Sequence, residues 1–157
     1  MAPGQGRGVP AGHQWVFAGE ISEVAGDPVS GAIVDLYTES NRVIGRGFYN
    51  PHSKIRVRIL TVHYEPINEE FWRRRLDAAI RFRARVVGTS TAYRLVHGES
   101  DWLPGLIVDR YADVLVMQTL SVGMDQRKEL LADLLLDLTG ARAVYLRNDV
   151  KSRVQEG

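Results

Sequence analysis

The run GRGFYNPHSKIRVRILT, residues 45–61, decides how the first third of the chain folds. Lys54, Arg56 and Arg58 alternate with Ile55, Val57 and Ile59. Successive side chains of a strand point to opposite faces, so this spacing predicts a strand over Lys54 to Thr61 with three cations on one face and three aliphatics against a core. Asn50-Pro51 turns the chain just before it, and Val43 to Phe48 reads as the preceding strand. Working backwards, Ala32 to Tyr37 and Trp15 to Ala18 are further strand candidates, with Gly19 marking a bulge or a close backbone approach. Gly26-Asp27-Pro28, Gly31, Ser40-Asn41, Gly45 and Gly47 punctuate these runs. About five short strands packed between such closely spaced turns predict a small barrel.

After Thr61 the period changes. Asn68 is placed to cap a helix whose first residues, Glu69 and Glu70, suit the positive end of its dipole. Arg81, Arg83 and Arg85 fall where the negative end lies, ahead of Gly88. The helix spans about 69–85, and Trp72, Leu76, Ala79 and Ile80 form its buried stripe. From Thr91 the alternation returns: Tyr93 to Val96, Leu106 to Arg110 and Val114 to Leu120 read as strands, the last two joined by a tight turn at Tyr111-Ala112-Asp113. A second helix presents Leu130, Leu131, Leu134, Leu135 and Leu138 on one face, keeps Glu129, Asp133 and Asp137 wet, and stops at Gly140. Val144 to Leu146 is a last strand. Leu136 lies off the main leucine face, where a neighbouring domain would cover it.

Composition limits the functions available. The 157 residues are 45% hydrophobic and 25% charged, which is the balance of a folded soluble chain, and the net charge of +1 means that any nucleic-acid affinity comes from a local patch. The absence of cysteine excludes disulfides, thiolate metal sites and a cysteine nucleophile. MAPGQGRGVPAGH lacks the apolar core of a signal peptide, and Asp133 and Asp137 interrupt the leucine-rich stretch, so the expectation is a cytoplasmic protein without a membrane span.

Three constellations carry chemistry. The Lys54, Arg56, Arg58 face, extended by Arg42 and Arg46, offers the four or five cations that phosphate neutralisation needs, against the alternative of a charged outer strand that serves solubility. Phe48 and Tyr49 beside it could stack on bases or serve the turn. Arg74, Arg81 and Arg85 share one helix face and either prolong the patch or stay solvated. His97, Glu99 and Asp101 could hold a metal or exchange protons, or could satisfy turn backbone. The His-x-Glu spelling matches half of a zinc deaminase site but lacks the two thiolates that chemistry requires. Gly4, Gly6 and Gly8 have the spacing of a nucleotide-binding turn without the preceding strand.

The blocks HQWVFAGEI (13–21), GRGFYNPHSKIRVRIL (45–60), FWRRRLDAAI (71–80), YRLVHGESDWLPGLIVDRYADVLVMQ (93–118) and YLRNDVKSRVQEG (145–157) occur in an order that resembles the start of the bacterial S-adenosylmethionine-dependent methyltransferases acting on carbon 5 of a cytosine in large-subunit ribosomal RNA. The resemblance implies an α+β chain: a PUA-like small β pseudobarrel that binds RNA, then a small strand-strand-helix-strand domain. With the change of period at Val62 to Pro66, this divides the chain into the PUA-like unit over 13–65, a linking helix over 66–90 and the middle domain over 91–157, its C-terminal completion left open; residues 1–12 are expected to be a flexible N-terminus. A Rossmann-like domain with the cofactor loop and the nucleophilic cysteine follows in the family and is expected to be missing here.

Two departures stand out. The family has a strand-forming segment where this chain has MAPGQGRGVPAG, and Gln14 replaces a common proline. Matching positions make Arg46, Lys54, Arg56 and Arg58 part of the RNA-facing surface, joined by Arg74, Arg81 and Arg85 from the helix. Arg94, His97, Gly98, Glu99, Gly105, Asp109, Arg110 and Asp113 take structural or interdomain roles. The expectation is an RNA-binding portion without its own catalytic residues, metal or bound S-adenosylmethionine, whose partners are ribosomal RNA and the separate methyltransferase domain. The rival readings are an interaction module that forms homodimers and a small enzyme built on His97, Glu99 and Asp101.

Overall fold

The computed structural model describes residues 12–149. The expected flexible N-terminus lies almost wholly outside them, as do residues 150–157. The fold is mixed α+β, with two four-stranded sheets and helices between and beyond them.

The first sheet contains β1 (Trp15–Phe17), β2 (Ile33–Tyr37), β3 (Val43–Tyr49) and β4 (Ile55–Thr61), antiparallel throughout in the order β1-β4-β3-β2. Four strands stand where about five were expected, at the four spans marked by turn residues, with ends moved by one residue: Ala18, Ala32 and Lys54 fall outside and Tyr49 falls inside. Lys54 stands just outside β4 rather than in it. The bulge falls at least two residues before Gly19, its expected place: the register shifts between Val16 and Phe17, Ala18–Glu20 forms a short 3-10 turn, and nothing approaches the open side of Gly19.

Asn68 caps α1 (Glu69–Val86) as its sequence position predicts, its side chain accepting from the Phe71 N–H at 3.1 Å. The second sheet holds β5 (Ala92–His97), β6 (Leu106–Tyr111), β7 (Val114–Thr119) and β8 (Ala143–Leu146) in the order β5-β6-β7-β8. Its first three strands are antiparallel and β8 runs parallel to β7, a reversal that the crossing helices α2 (Val122–Asp125) and α3 (Lys128–Thr139) make possible. The N–H of Gly140 closes α3 on the Leu136 carbonyl. No helix among the described residues is long and apolar enough to cross a membrane.

Two cores result. The smaller gathers Val16, Leu36, Val57 and Ile59 under one face of the first sheet. The larger draws on both sheets and on α1: Phe48 and Leu60 from β3 and β4 join Phe71, Trp72 and Leu76, then Leu95, Val108, Met117, Leu131 and Leu135. Neighbouring residues Ile59 and Leu60 are both fully buried because each face of β4 meets a different core. Leu136 is corrected here: it is partly buried and packs against this chain's own larger core.

Candidate nucleic-acid interface

Alternation in β4 does put Arg56 and Arg58 on the face opposite Val57, but that face looks toward the second half of the molecule and not outward. Arg58 pairs in register with Trp15 and has a side-chain exposure of only 12%. Its guanidinium lies 5.6 Å from the centre of the Trp15 ring and 3.4 Å from Glu99 Oε1. Arg56 donates to the carbonyls of Asn50 and Pro51, bracing the turn into β4. Arg46 is held by Asp35 at 2.6 Å and the Glu65 carbonyl at 2.7 Å, and sits over the Tyr64 ring. Lys54 is exposed, and no carboxylate among the described residues pairs with it.

On α1 the three arginines separate by partner. Arg74 reaches Glu65 at 2.6 Å while half exposed, and Arg81 pairs with Asp77 one turn away while 73% exposed. Arg85 is exposed. Exposed pairs of this kind contribute at most about 1 kcal/mol, so an incoming phosphate can replace the carboxylate at little cost. The arginine that matters most structurally was not among the expected site residues. Arg83 is buried and forms a two-pronged pair with Asp101, both contacts at 2.7 Å, while its Nε donates to the Arg94 carbonyl.

The segment His97–Trp102 joins the two halves. Glu99 Oε1 accepts from the Trp15 indole at 2.7 Å as well as from Arg58, and the Glu99 carbonyl accepts from the Gln14 side chain at 2.6 Å. Gln14 therefore makes a hydrogen bond to the second half of the chain that a proline there could not. Asp101 accepts from the His97 N–H besides binding Arg83, and Trp102 adopts a left-handed backbone (φ 58°) that tucks its ring against the smaller core. Both carboxylates are thus engaged by donors within the chain, and no set of three potential ligands converges on a metal site among the described residues. Arg94 and Asp109 form a cross-strand pair between β5 and β6, which raises the arginine's pKa through the hydrogen bond. Asp113 pairs with Arg142, and Arg110 donates to the Ala112 carbonyl.

Phe48 is not available to bases. It is 3% exposed, stacked on Trp72 with ring centres 5.9 Å apart, and covered by α2, where a Cβ on Gly123 would fall 2.2 Å from its ring. Arg127 lies over the same ring at 4.8 Å, and burial lowers its pKa. Burial likewise lowers that of Arg75, which sits between the Phe71 and Trp102 rings. Both keep their charge at neutral pH, as arginine does in proteins. Tyr49 packs on the smaller core and lines an open trough of about 750 Å³ floored by Val34, Leu36 and Val57. Glu23, Asp35 and Glu39 edge this trough, the wrong charge for phosphate.

With the geometry in place, likeness to known proteins becomes informative. Residues 1–62 match the PUA-like domain family. The chain carries a PUA-like domain. Over its whole length it is similar to proteins named ribosomal RNA large subunit methyltransferase I: 36% identical to that of Vibrio cholerae, 39% to that of Shewanella amazonensis and 41% to that of Shewanella denitrificans. The chain spans about two-fifths of the length of these relatives. Among solved structures, a Streptococcus mutans protein assigned as a SAM-dependent methyltransferase superposes with a TM-score of 0.75 at 15% identity. That overlap takes in 88% of this chain and 38% of the other. A methyltransferase-assigned chain solved with SAH gives 0.76 over 88% and 37%. At that identity the likeness speaks for the fold.

Among the described residues, the turn that follows the parallel-paired β7 does not fit S-adenosylmethionine in the Rossmann manner. Cofactor binding of the Rossmann type needs a glycine turn at the end of a parallel strand, open for close approach. Here the glycine following the parallel-paired β7 is Gly123, and its open side is filled by Phe48.

Proposed function

We propose that this chain is the RNA-binding N-terminal portion of a ribosomal RNA methyltransferase, and that it positions large-subunit RNA for a SAM-dependent catalytic domain acting on carbon 5 of a cytosine. The observation that carries the reading is the occurrence, in one chain, of a PUA-like domain and a similarity that matches all of this chain to about two-fifths of ribosomal RNA large subunit methyltransferases. In this reading residues 13–65 form the RNA-binding unit, 66–90 the linking helix and 91–157 a middle domain that carries the first unit against the catalytic one.

The expected cations then divide the work. Lys54, Arg74, Arg81 and Arg85 are accessible and meet phosphates, whereas Arg46, Arg56 and Arg58 shape the surface through Asp35, Pro51 and Glu99. Phosphate contacts supply affinity largely regardless of base sequence.

The rival reading, a self-association module, draws on Tyr145 and Leu146, which are 63% and 49% exposed on the outer strand β8. Incubating the chain with a large-subunit rRNA fragment during sedimentation tests both. The RNA reading expects a salt-sensitive complex with one copy of the chain. A salt-indifferent dimer that ignores RNA would support the rival and contradict the proposal.

A further inference from the structure

We infer that His13, Trp15 and Phe17 form a stacking platform for unpaired RNA bases on the outer strand β1. This inference rests on the reading that the chain binds RNA, and specifies what part of the RNA it takes.

The three rings occupy alternate positions along β1 and its approach, while Gln14 and Val16 between them are 7% and 2% exposed. Gln14 and Val16 are the covered residues of this strand; the rings lie at the rim of the Arg58 face, where Trp15 reaches Glu99 of the second half by its indole N–H and keeps part of its surface in solvent. Trp15 is 36% and Phe17 42% exposed, and His13 is exposed too. They are contiguous: ring centres lie 6.0 Å apart for His13 and Trp15, and 6.5 Å for Trp15 and Phe17. Three neighbouring, partly exposed rings on a strand, each set nearly perpendicular to the next (82° and 89°), present separate π faces that bases can cover, since every base has a π face of its own.

The surrounding groups favour a polyanion with exposed bases. The guanidinium of Arg58 lies beneath the Trp15 ring, and the Trp15 indole N–H is fixed by Glu99, so the ring is held in one orientation before any ligand arrives. Lys54 borders the platform, its carbonyl accepting from the Ala18 N–H directly after Phe17. The acidic groups nearby are already engaged. Glu20 accepts from the Phe17 N–H at 2.7 Å, and Glu99 accepts from Trp15 and Arg58. Charge complementarity therefore places phosphates on the Lys54 side and bases on the rings. A duplex hides its base faces by stacking them on one another, so the occupant is a single-stranded loop or bulge.

The test uses the full chain and a short adenosine oligoribonucleotide, free and annealed to its complement. Trp15 fluorescence, isolated by subtracting the Trp15→Phe variant, should be quenched by the single strand and unaffected by the duplex. Phe17→Ala and His13→Ala should each weaken single-strand binding, by about tenfold where a stacked base is lost, with the salt slope unchanged. Lys54→Gln should instead reduce the slope by about one. Phe17→Leu, which keeps the apolar bulk, separates loss of stacking from any loss of folding and should also weaken binding. Unchanged affinity in Phe17→Leu and His13→Ala, while the native chain still binds RNA, would overturn the platform and leave the RNA reading standing. A native chain that binds no RNA would overturn both.

Discussion

Arg83 and Asp101 are opposite charges buried to 10% and 9% side-chain exposure, and each is fully occupied by the other and by backbone groups. Removing one partner from such a pair strands the other without water, at a cost of about 3–5 kcal/mol. Asp101→Asn should therefore lower the unfolding free energy in urea by about 3 kcal/mol, whereas Asp77→Asn, at the exposed Arg81 pair, should cost under about 1 kcal/mol. Equal small losses would show that the buried pair is dispensable. Sequence spacing alone could not single out Arg83. It lies among Arg81 and Arg85 where a helix end attracts cations, and its partner is 18 positions away, beyond β5. Phe48 escaped for the same reason, since its burial depends on Trp72 and Gly123 from two later helices.

At the scale of elements, legibility followed locality. The start of α1 was readable because Asn68, Glu69 and Glu70 act within one turn, and the cap bond to Phe71 is the physical form of that signal. β4 was readable from its alternation, but not the destination of its two faces, because Leu60 meets a core assembled mainly from residues after 70. The four-residue α2 is shorter than any periodicity could reveal, yet it covers Phe48 and ties Gln126 to the Ser30 carbonyl at 3.0 Å. Asn68→Ala removes the acceptor for one helix N–H and should destabilise by about 1 kcal/mol in thermal or urea unfolding. No measurable change would mean that tertiary packing alone fixes the helix start.

For the whole molecule, the larger core and the Glu99 bonds to Gln14, Trp15 and Arg58 connect the PUA-like domain to the second sheet. The chemistry of methyl transfer to carbon 5 of cytosine is another matter. It needs a thiolate to add to the ring, and the 157 residues contain no cysteine. Calorimetry of the 157-residue chain with S-adenosylmethionine should accordingly show no binding heat; saturable binding would contradict the reading of Gly123 and the domain assignment of residues 91–157.

RNA binding through exposed cations is tested most directly by the dependence of affinity on salt. A large-subunit rRNA fragment should bind the native chain with an affinity that falls steeply as salt rises. The triple variant Lys54→Gln, Arg81→Gln, Arg85→Gln should bind more weakly, with a log-log slope shallower by about three if each cation meets one phosphate. Identical affinity and slope in the native chain and the variant would contradict the account.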